Sequence, residues 1–347
     1  MDIIKKNKIY FFIFLLIFII SILSGCAGMA ASAEEYYSIG MAYFDLGKFD
    51  EAEKWLNRAK QADKTFSASQ YNLGRLAFEQ KRYDEAVKHF EGLLKRDPDN
   101  ILALRAAAYT RIRLGNIEIA QKHYSKLLTL IPESADDGYN HALVLFAMER
   151  YSEAEEVLQK YPFAMQDNKD VQLLFARSQG KQNKAEAIDS FASWLAVNSN
   201  FKARYEYALV LEYHEFYARA IEELKQAVKE SNATSTDPKQ NEIQFALARV
   251  TLIAENESDQ GITEMQKAVD QGFDNITAIE ELTQNSLIRS SNITRLQNII
   301  DNMYRKIAEA EQAAAKKTTD EQEALEQEQK TGDEAENLET NPESGTE

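Results

Sequence analysis

The sequence predicts an all-α fold built from helix–turn–helix repeats. Residues 67–100 carry small, aromatic and proline landmarks that return at a period of about thirty-four residues, which is typical of such arrays. These landmarks are Leu73, Gly74, Ala77, Tyr83, Ala86, Phe90 and Pro98. The composition agrees, because only 13 of the 347 residues are glycine and 5 are proline, while 44% are hydrophobic. Such a chain can bury a large core and favours helices over strands.

Seven repeats follow one another in the same frame. The first four and the sixth keep most landmarks, the fifth is shorter and weaker, and the seventh is degenerate and follows a polar insert at residues 232–240. The predicted repeats lie near residues 33–66, 67–100, 101–134, 135–168, 169–200, 201–234 and 242–274. Accidental periodicity in an ordinary helical bundle is the alternative, and several repeats in one frame argue against it.

Small residues occupy facing positions on the two helices of a repeat. Gly40 and Gly74 on first helices face Ala52 and Ala86 on second helices, so the two helices can approach closely and bury their neighbours. One repeat cannot bury its own apolar face, whereas stacked repeats can. The pattern therefore predicts a continuous core along the array.

The turns and ends of the second helices carry their own signals. Asp50, Asp84 and Ser152 are predicted to cap second helices with their side-chain oxygens. Pro98 and Pro132 are predicted to end second helices, because proline disfavours the helical conformation of the residue before it.

These landmarks resemble the tetratricopeptide repeat (TPR) family over about residues 33–274. The resemblance implies a right-handed superhelical solenoid whose first helices line a concave groove. In that family the second, fifth, ninth, twelfth and thirteenth residues of each repeat line the groove. Carried over to this chain, the partner-binding residues are Tyr37, Phe44, Tyr71, Arg75, Phe78, Arg105, Tyr109, Arg113, Tyr139, Phe146 and Tyr205. A purely structural role for the tyrosines is the alternative.

Four arginines near the middle of the expected groove form a second hypothesis. Arg75, Arg105, Arg111 and Arg113 would focus positive potential there and grip carboxylates of a partner. The alternative is that they pair with acids on adjacent helices.

The N-terminal segment has the features of a secretory leader. Lys5, Lys6 and Lys8 precede an apolar run at residues 9–20, and the segment ends in the sequence LSGC at Cys26. This ending resembles a bacterial lipobox, which implies that residues 1–25 are removed, that Cys26 is lipidated and that residues 26–32 form a tether. The resemblance to lipoproteins of double-membraned bacteria also implies, because Ala27 rather than Asp follows the cysteine, that the anchor lies in the outer membrane with the body in the periplasm. An uncleaved transmembrane anchor is the alternative.

Beyond the repeats, residues 275–317 are predicted to form C-terminal capping helices. Apolar residues there alternate spacings of three and four, at Ile293, Leu296, Ile300, Met303, Ile307, Ala310 and Ala314. This seam favours a helix that covers the open end of the array, and dimerisation is the alternative. Residues 318–347 carry eleven acids against one lysine, so the tail holds −10 of the formal charge of −16 and is predicted to be disordered.

The sequence argues against several classes of function. An acidic body without a basic stripe does not favour nucleic-acid binding. Catalytic motifs are missing, so we expect no enzyme and no cofactor. His89 and His123 share one position in adjacent repeats, but Trp55 and Val157 fill it elsewhere, which favours packing over a metal site.

Three functions remain open. We favour an extracytoplasmic adaptor that holds an envelope protein or peptide in its groove. A second interpretation is an accessory subunit of a periplasmic binding-protein-dependent transporter for a small apolar ligand. A third is a structural envelope lipoprotein that self-associates through the C-terminal seam, although a monomer is slightly favoured.

Overall fold

The computed structural model describes residues 31–254 and 259–339, with side chains described to residue 318 and at residues 321 and 322. The leader and Cys26 lie outside these residues. The chain divides into two compact units between Val171 and Gln172, here called the N-terminal unit and the C-terminal unit. Within the described residues all regular structure is α-helical, which confirms the predicted fold class.

The helices follow one another as antiparallel pairs. The N-terminal unit holds α1 (Ala33–Asp45), α2 (Phe49–Ala62), α3 (Ser67–Glu79), α4 (Tyr83–Leu94), α5 (Ile101–Arg113), α6 (Ile117–Leu130), α7 (Ala135–Ala147), α8 (Tyr151–Gln159) and α9 (Pro162–Asp167). Helix α10 (Lys169–Lys181) begins before the division. The C-terminal unit continues with α11 (Glu186–Leu195), α12 (Phe201–Tyr213), α13 (Tyr217–Glu230), α14 (Gln240–Ala254), α15 (Gln260–Asp270), α16 (Ile276–Thr283) and α17 (Ser290–Glu339).

Helix α9 is an addition to the repeat pattern. The fourth repeat has no proline at the position of Pro98 and Pro132. Its Pro162 stands instead in the first turn of α9, where a missing backbone N–H costs nothing. The proline therefore starts an extra helix between the fourth and fifth repeats.

The turn inside each of the first six repeats has the same backbone conformation. One residue per turn has a positive φ, and the following N–H donates to a carbonyl five residues earlier, for example Lys48 to Tyr43 at 2.9 Å and Arg82 to Ala77 at 2.8 Å. This is a Schellman motif. The residues with positive φ are Gly47, Lys81, Gly115, Glu149, Asn183 and Glu215, with φ from 55° to 74°. The same backbone hydrogen bond thus forms in turns whose left-handed residue is not glycine.

The helix caps differ from the sequence prediction. Asp50, Asp84 and Ser152 do not cap the second helices, because they lie inside the first helical turn. The left-handed residue of the Schellman turn directly precedes the cap position, and that position holds Lys48, Arg82 and Arg150 without a side-chain cap. Side-chain caps are found on several first helices, at Ser32, Asn100, Ser134 and Asn200.

Close helix approach depends on the small residues, as predicted. Gly74 on α3 lies against Phe90 on α4, and a Cβ built at Gly74 would stand 2.6 Å from the Phe90 ring. Ala86 on α4 is fully buried in the same cluster with Phe90 and Ala107. The two helices of the repeat therefore approach too closely for any larger residue at position 74 without displacement of Phe90.

The C-terminal end of the array is covered by α16 and α17. Leu296, Ile300 and Met303 of α17 are buried in one cluster with Phe273 and residues of α14 and α15. Phe273 stacks on Phe245 with ring centroids 4.2 Å apart. The predicted seam therefore forms a cap as far as Met303. Further along, Ile307 is 47% exposed and Ala310 and Ala314 are exposed.

The tail differs from the expectation of disorder that began at residue 318. Helix α17 continues to Glu339, and residues 340–347 lie outside the described part. The physical reason is helix propensity: this segment is rich in Glu and Gln, and its first glycine is Gly332. Pairs four residues apart, such as Lys317 and Glu321 at 3.7 Å, support it.

Candidate functional site

The candidate site is a surface on the first helices of the N-terminal unit. A pocket of about 440 Å³ lies there, lined by residues of α1, α3, α4 and α5. Its lining includes three predicted groove residues, Tyr37, Tyr71 and Arg75, which the structure therefore brings together. Leu102 also lines the pocket and is 56% exposed, which places apolar surface at its rim.

A polar network inside the pocket centres on Asn72. Its side-chain amide donates to the Tyr37 hydroxyl at 3.0 Å and to the Ala68 carbonyl at 3.0 Å. The Asn72 carbonyl oxygen accepts a hydrogen bond from Nη1 of Arg75 at 2.9 Å. Asn72 is only 4% exposed, so it holds Tyr37 and Arg75 in fixed positions. The sequence prediction missed Asn72, whose signal is an amide directly beside the buried landmark Leu73.

Arg75 itself presents its guanidinium to the solvent. It lies over the ring of Phe44 on α1, with Cζ 5.0 Å from the ring centroid. Arg75 is exposed and forms no ion pair within the described part of the chain. The contact with Phe44 and the hydrogen bond to Asn72 orient the cation without neutralising its charge.

A second aromatic group lies on α3, α4 and α5. Phe78 is 5.2 Å from Tyr83 and 5.4 Å from Tyr109, measured between ring centroids. Arg113 lies over Tyr83 at 5.9 Å, and Tyr109 is 48% exposed. Phe78, Tyr109 and Arg113, all predicted groove residues, thus form one continuous surface of aromatic faces with a cation at its edge.

Of the two interpretations of the four arginines, pairing with acids on adjacent helices holds for Arg105 and Arg111. Arg105 forms a bidentate pair with Asp137 on α7, from Nε to Oδ1 at 2.7 Å and from Nη2 to Oδ2 at 2.6 Å. Arg111 pairs with Glu91 on α4 and donates to Asn116 at 2.9 Å. Both cations therefore tie adjacent helices together, and their charge is already compensated.

The Asp137 carboxylate is fully buried at the end of this ion pair. Burial alone would raise the pKa of Asp137, but hydrogen bonds from Arg105 and Ser134 outweigh it, so the pKa is lowered. Oδ2 accepts from the Ser134 hydroxyl at 2.7 Å, and Ser134 also caps α7. Arg105 thus has a structural partner rather than a free guanidinium.

The remaining predicted groove residues do not belong to the pocket. Phe146 packs edge-on against Tyr151 at 5.0 Å, and Tyr139 is half-buried on α7. Tyr205 lies in the C-terminal unit, where it lines a separate pocket of about 360 Å³ with Phe245 and Arg249. Burial raises the pKa of Tyr205.

The side chains of His89 and His123 are half-buried and pack on the second helices of adjacent repeats. Burial lowers the pKa of both His89 and His123, and His89 lies 3.8 Å from Glu85. Across residues 31–254 and 259–339, no group of three or more His, Cys, Asp or Glu residues is placed to hold a metal ion. Of the helices in these ranges, none combines the length and the apolar character that a membrane span needs.

Sequence comparisons agree with the repeat geometry. Models of the tetratricopeptide repeat family match residues 37–101, 77–136 and 136–169. An uncharacterized lipoprotein of Treponema pallidum is 28% identical over 142 residues, which cover 41% of this chain and 72% of that protein. Hsp70-Hsp90 organizing protein 3 of Arabidopsis thaliana is 33% identical over 121 residues, which cover 33% of this chain but only 21% of the relative.

A solved structure extends the likeness in fold. The crystal structure of a tetratricopeptide repeat protein from Parabacteroides merdae superposes with a TM-score of 0.50 and 22% identity, covering 73% of this chain and 99% of that chain. At this identity the likeness concerns the fold alone. Residues 37–169 therefore match models of the tetratricopeptide repeat family in sequence, and the chain shares the fold of a solved protein with such repeats.

Proposed function

We propose that this chain is a lipid-anchored adaptor of a bacterial cell envelope that binds an extended segment of a partner protein in the pocket of its N-terminal unit. The observation that carries the proposal is the pocket between α1, α3 and α5, which combines Tyr37, Tyr71 and Leu102 with an uncompensated Arg75. Repeat scaffolds of this kind are suited to protein–protein interaction.

The lining defines the chemistry of the segment. Tyr71 packs against Phe90 at 5.6 Å, and together with Leu102 it offers an apolar wall for one or two side chains. The Tyr37 hydroxyl, fixed by Asn72, can donate to a backbone carbonyl of the segment. Arg75 adds a bidentate contact for a carboxylate, because its charge has no acidic partner in the described chain. We therefore propose a segment with apolar residues next to an acidic one.

The cellular location rests on the leader. The LSGC ending at Cys26 resembles a lipobox, and the relative in Treponema pallidum is named a lipoprotein. Both support anchorage through Cys26, with residues 26–32 as the tether and the repeats outside the cytoplasm. The outer membrane with the body in the periplasm remains our preferred location, and a non-enzymatic role fits a site without catalytic groups.

Site-specific photo-crosslinking in cells tests the proposal. A photoreactive amino acid at Leu102 should capture one discrete protein, whereas the same group at Val197, which is 81% exposed in the C-terminal unit, should not. Charge reversal by Arg75→Glu should reduce capture at least tenfold, and raised salt should mimic part of that loss. Lys88→Glu on α4 is the matched control, because Lys88 is also exposed and lies outside the pocket lining.

Equal capture at positions 102 and 197 would remove the pocket from consideration. If capture at Leu102 survives both Arg75→Glu and high salt, the pocket still binds the partner, but the proposed acidic residue of the segment is refuted. Mass measurement of the purified protein tests the anchor separately, since Cys26→Ala should leave an uncleaved precursor without lipid.

A further inference from the structure

The two ends of the repeat array are finished differently. A repeat array needs a polar outer face on its terminal repeats to stay soluble. At the C-terminal end, α17 buries its apolar residues against α14 and α15 as far as Met303. At the N-terminal end, the face of the first repeat that a preceding repeat would contact carries exposed apolar residues.

Equivalent residues in successive repeats show that this face is uncovered. Ile39 on α1 is 38% exposed, whereas Leu73, thirty-four residues later on α3, is 3% exposed because it packs against the first repeat. Leu46, at the end of α1, is 69% exposed. Ile39, Ala42 and Leu46 lie three and four residues apart, so they form one apolar stripe along α1.

An aromatic and cationic group borders the stripe. Tyr36 on α1 stacks on Trp55 of α2 with ring centroids 5.9 Å apart, and Arg58 lies over Trp55 at 4.4 Å. Tyrosine, tryptophan and arginine share an apolar body and a polar end, and tyrosine and tryptophan concentrate at the interface between membrane and water. The face is thus apolar in the middle and interfacial in character at its edge.

The tether brings this face to a membrane. Ser32 caps α1 directly, so only residues 27–32 separate Cys26 from the first helix. At about 3.3–3.6 Å per residue, the start of α1 stays within roughly 20 Å of a lipid attached to Cys26. A tether of this length gives the face a high effective concentration at the bilayer surface, so even weak contacts are populated.

We infer that the open end of the first repeat, formed by Tyr36, Ile39, Leu46, Trp55 and Arg58, lies against the lipid headgroups and orients the array on the membrane. This inference rests on the proposed anchorage through Cys26. The residues next to Leu46 carry charges of both signs, with Asp45 at the end of α1 and Lys48 at the cap position of α2. The contact is therefore with zwitterionic headgroups and the upper acyl chains, and it depends little on salt.

The tryptophans of the chain provide the test. The chain has 2 tryptophans, and Trp194 is 6% exposed in the core of the C-terminal unit. In a Trp194→Phe variant of the full chain, Trp55 is the sole tryptophan. The lipidated protein is placed in phosphatidylcholine vesicles with and without bromine on the upper acyl chains. Brominated lipid should lower the Trp55 emission at least twofold, and Leu46→Asp should remove most of that quenching.

The controls separate the possible results. Leu287→Asp introduces the same charge at another exposed leucine, 54% exposed in the C-terminal unit, and should leave the quenching of Trp55 unchanged. If mass measurement finds no lipid on Cys26, the anchorage itself fails. A lipidated protein whose Trp55 is not quenched overturns the membrane contact alone. Cross-linking between copies through Leu46→Cys, with Trp55 unquenched, would assign the face to self-association instead.

Discussion

Replacing Arg105 by leucine should destabilise the N-terminal unit without touching the pocket. The Asp137 carboxylate is fully buried, while the Arg105 side chain is 42% exposed. Breaking a fully buried ion pair costs about 3–5 kcal/mol, and solvent screening at the exposed arginine reduces this to about 1–3 kcal/mol. A loss of about 2 kcal/mol corresponds to a fall in melting temperature of roughly 4–8 °C for a unit of this size.

The pH dependence identifies the cause. In the native protein the pKa of Asp137 lies below its ordinary value of 3.8, so the ion pair stabilises the fold above about pH 4 and is lost as pH falls through the lowered pKa. In Arg105→Leu, burial is no longer offset by the arginine and raises the pKa of Asp137. The variant therefore gains relative stability on acidification, and its deficit should shrink below about pH 5.

Calorimetry of the full chain, together with amide hydrogen exchange over residues 101–147, measures the effect. Repeat arrays often unfold in parts, so local exchange is more informative than one global midpoint. Arg113→Leu is the matched control, because Arg113 has no carboxylate partner in the described chain, and this change should leave the free energy of unfolding nearly unchanged. Equal losses in the two variants, or a deficit that does not change between pH 7 and pH 3.5, would refute the reasoning.

Three further changes probe other parts of the fold. Gly74→Ala should lower the free energy of unfolding by about 1–3 kcal/mol, because its Cβ would lie 2.6 Å from Phe90. Burial lowers the pKa of His141 to about 4, so acidification from pH 6.5 to pH 4 should lower the free energy of unfolding by up to about 3 kcal/mol. In His141→Gln, denaturation midpoints should no longer show this dependence on pH. Truncation after Lys317 should leave the melting temperature nearly unchanged, because α17 is buried only as far as Met303.

Each of these has an outcome that contradicts it. A neutral Gly74→Ala would mean that Phe90 moves aside easily, and an unchanged acid slope in His141→Gln would place the titrating group elsewhere. A large fall in melting temperature after truncation would mean that residues beyond 317 pack on the body of the protein.

The sequence predicted the repeats well because the landmarks are the residues that pack. Gly74, Ala86 and Phe90 are in contact, so their spacing records the helix pair directly. The pocket was predicted only in part. Tyr37, Tyr71 and Arg75 are on its wall, but Asn72, which fixes two of them, follows no repeat landmark.

The repeat pattern does not predict which charged residues form ion pairs. Arg105 and Arg75 both occupy groove positions, yet one pairs with an acid thirty-two residues away and the other lies over an aromatic ring. The difference arises because Asp137 happens to occupy the facing turn of α7. The prediction that Asp50 and Asp84 cap second helices was wrong. The Schellman turn shifts the start of each helix, so that both residues lie two positions after the cap position.

Because the same left-handed turn residue recurs, one repeat can be removed or duplicated without a change in the turn conformation. Lys81 and Gly115 have φ of 61° and 74°, and each is followed by the same backbone hydrogen bond. Excision of residues 82–115 would therefore join Lys81 to Asn116 through an identical corner, and duplication of the same segment would lengthen the array by one repeat. Gene rearrangement of this kind would change the length of the array by one repeat at a time, and no new turn conformation would be needed.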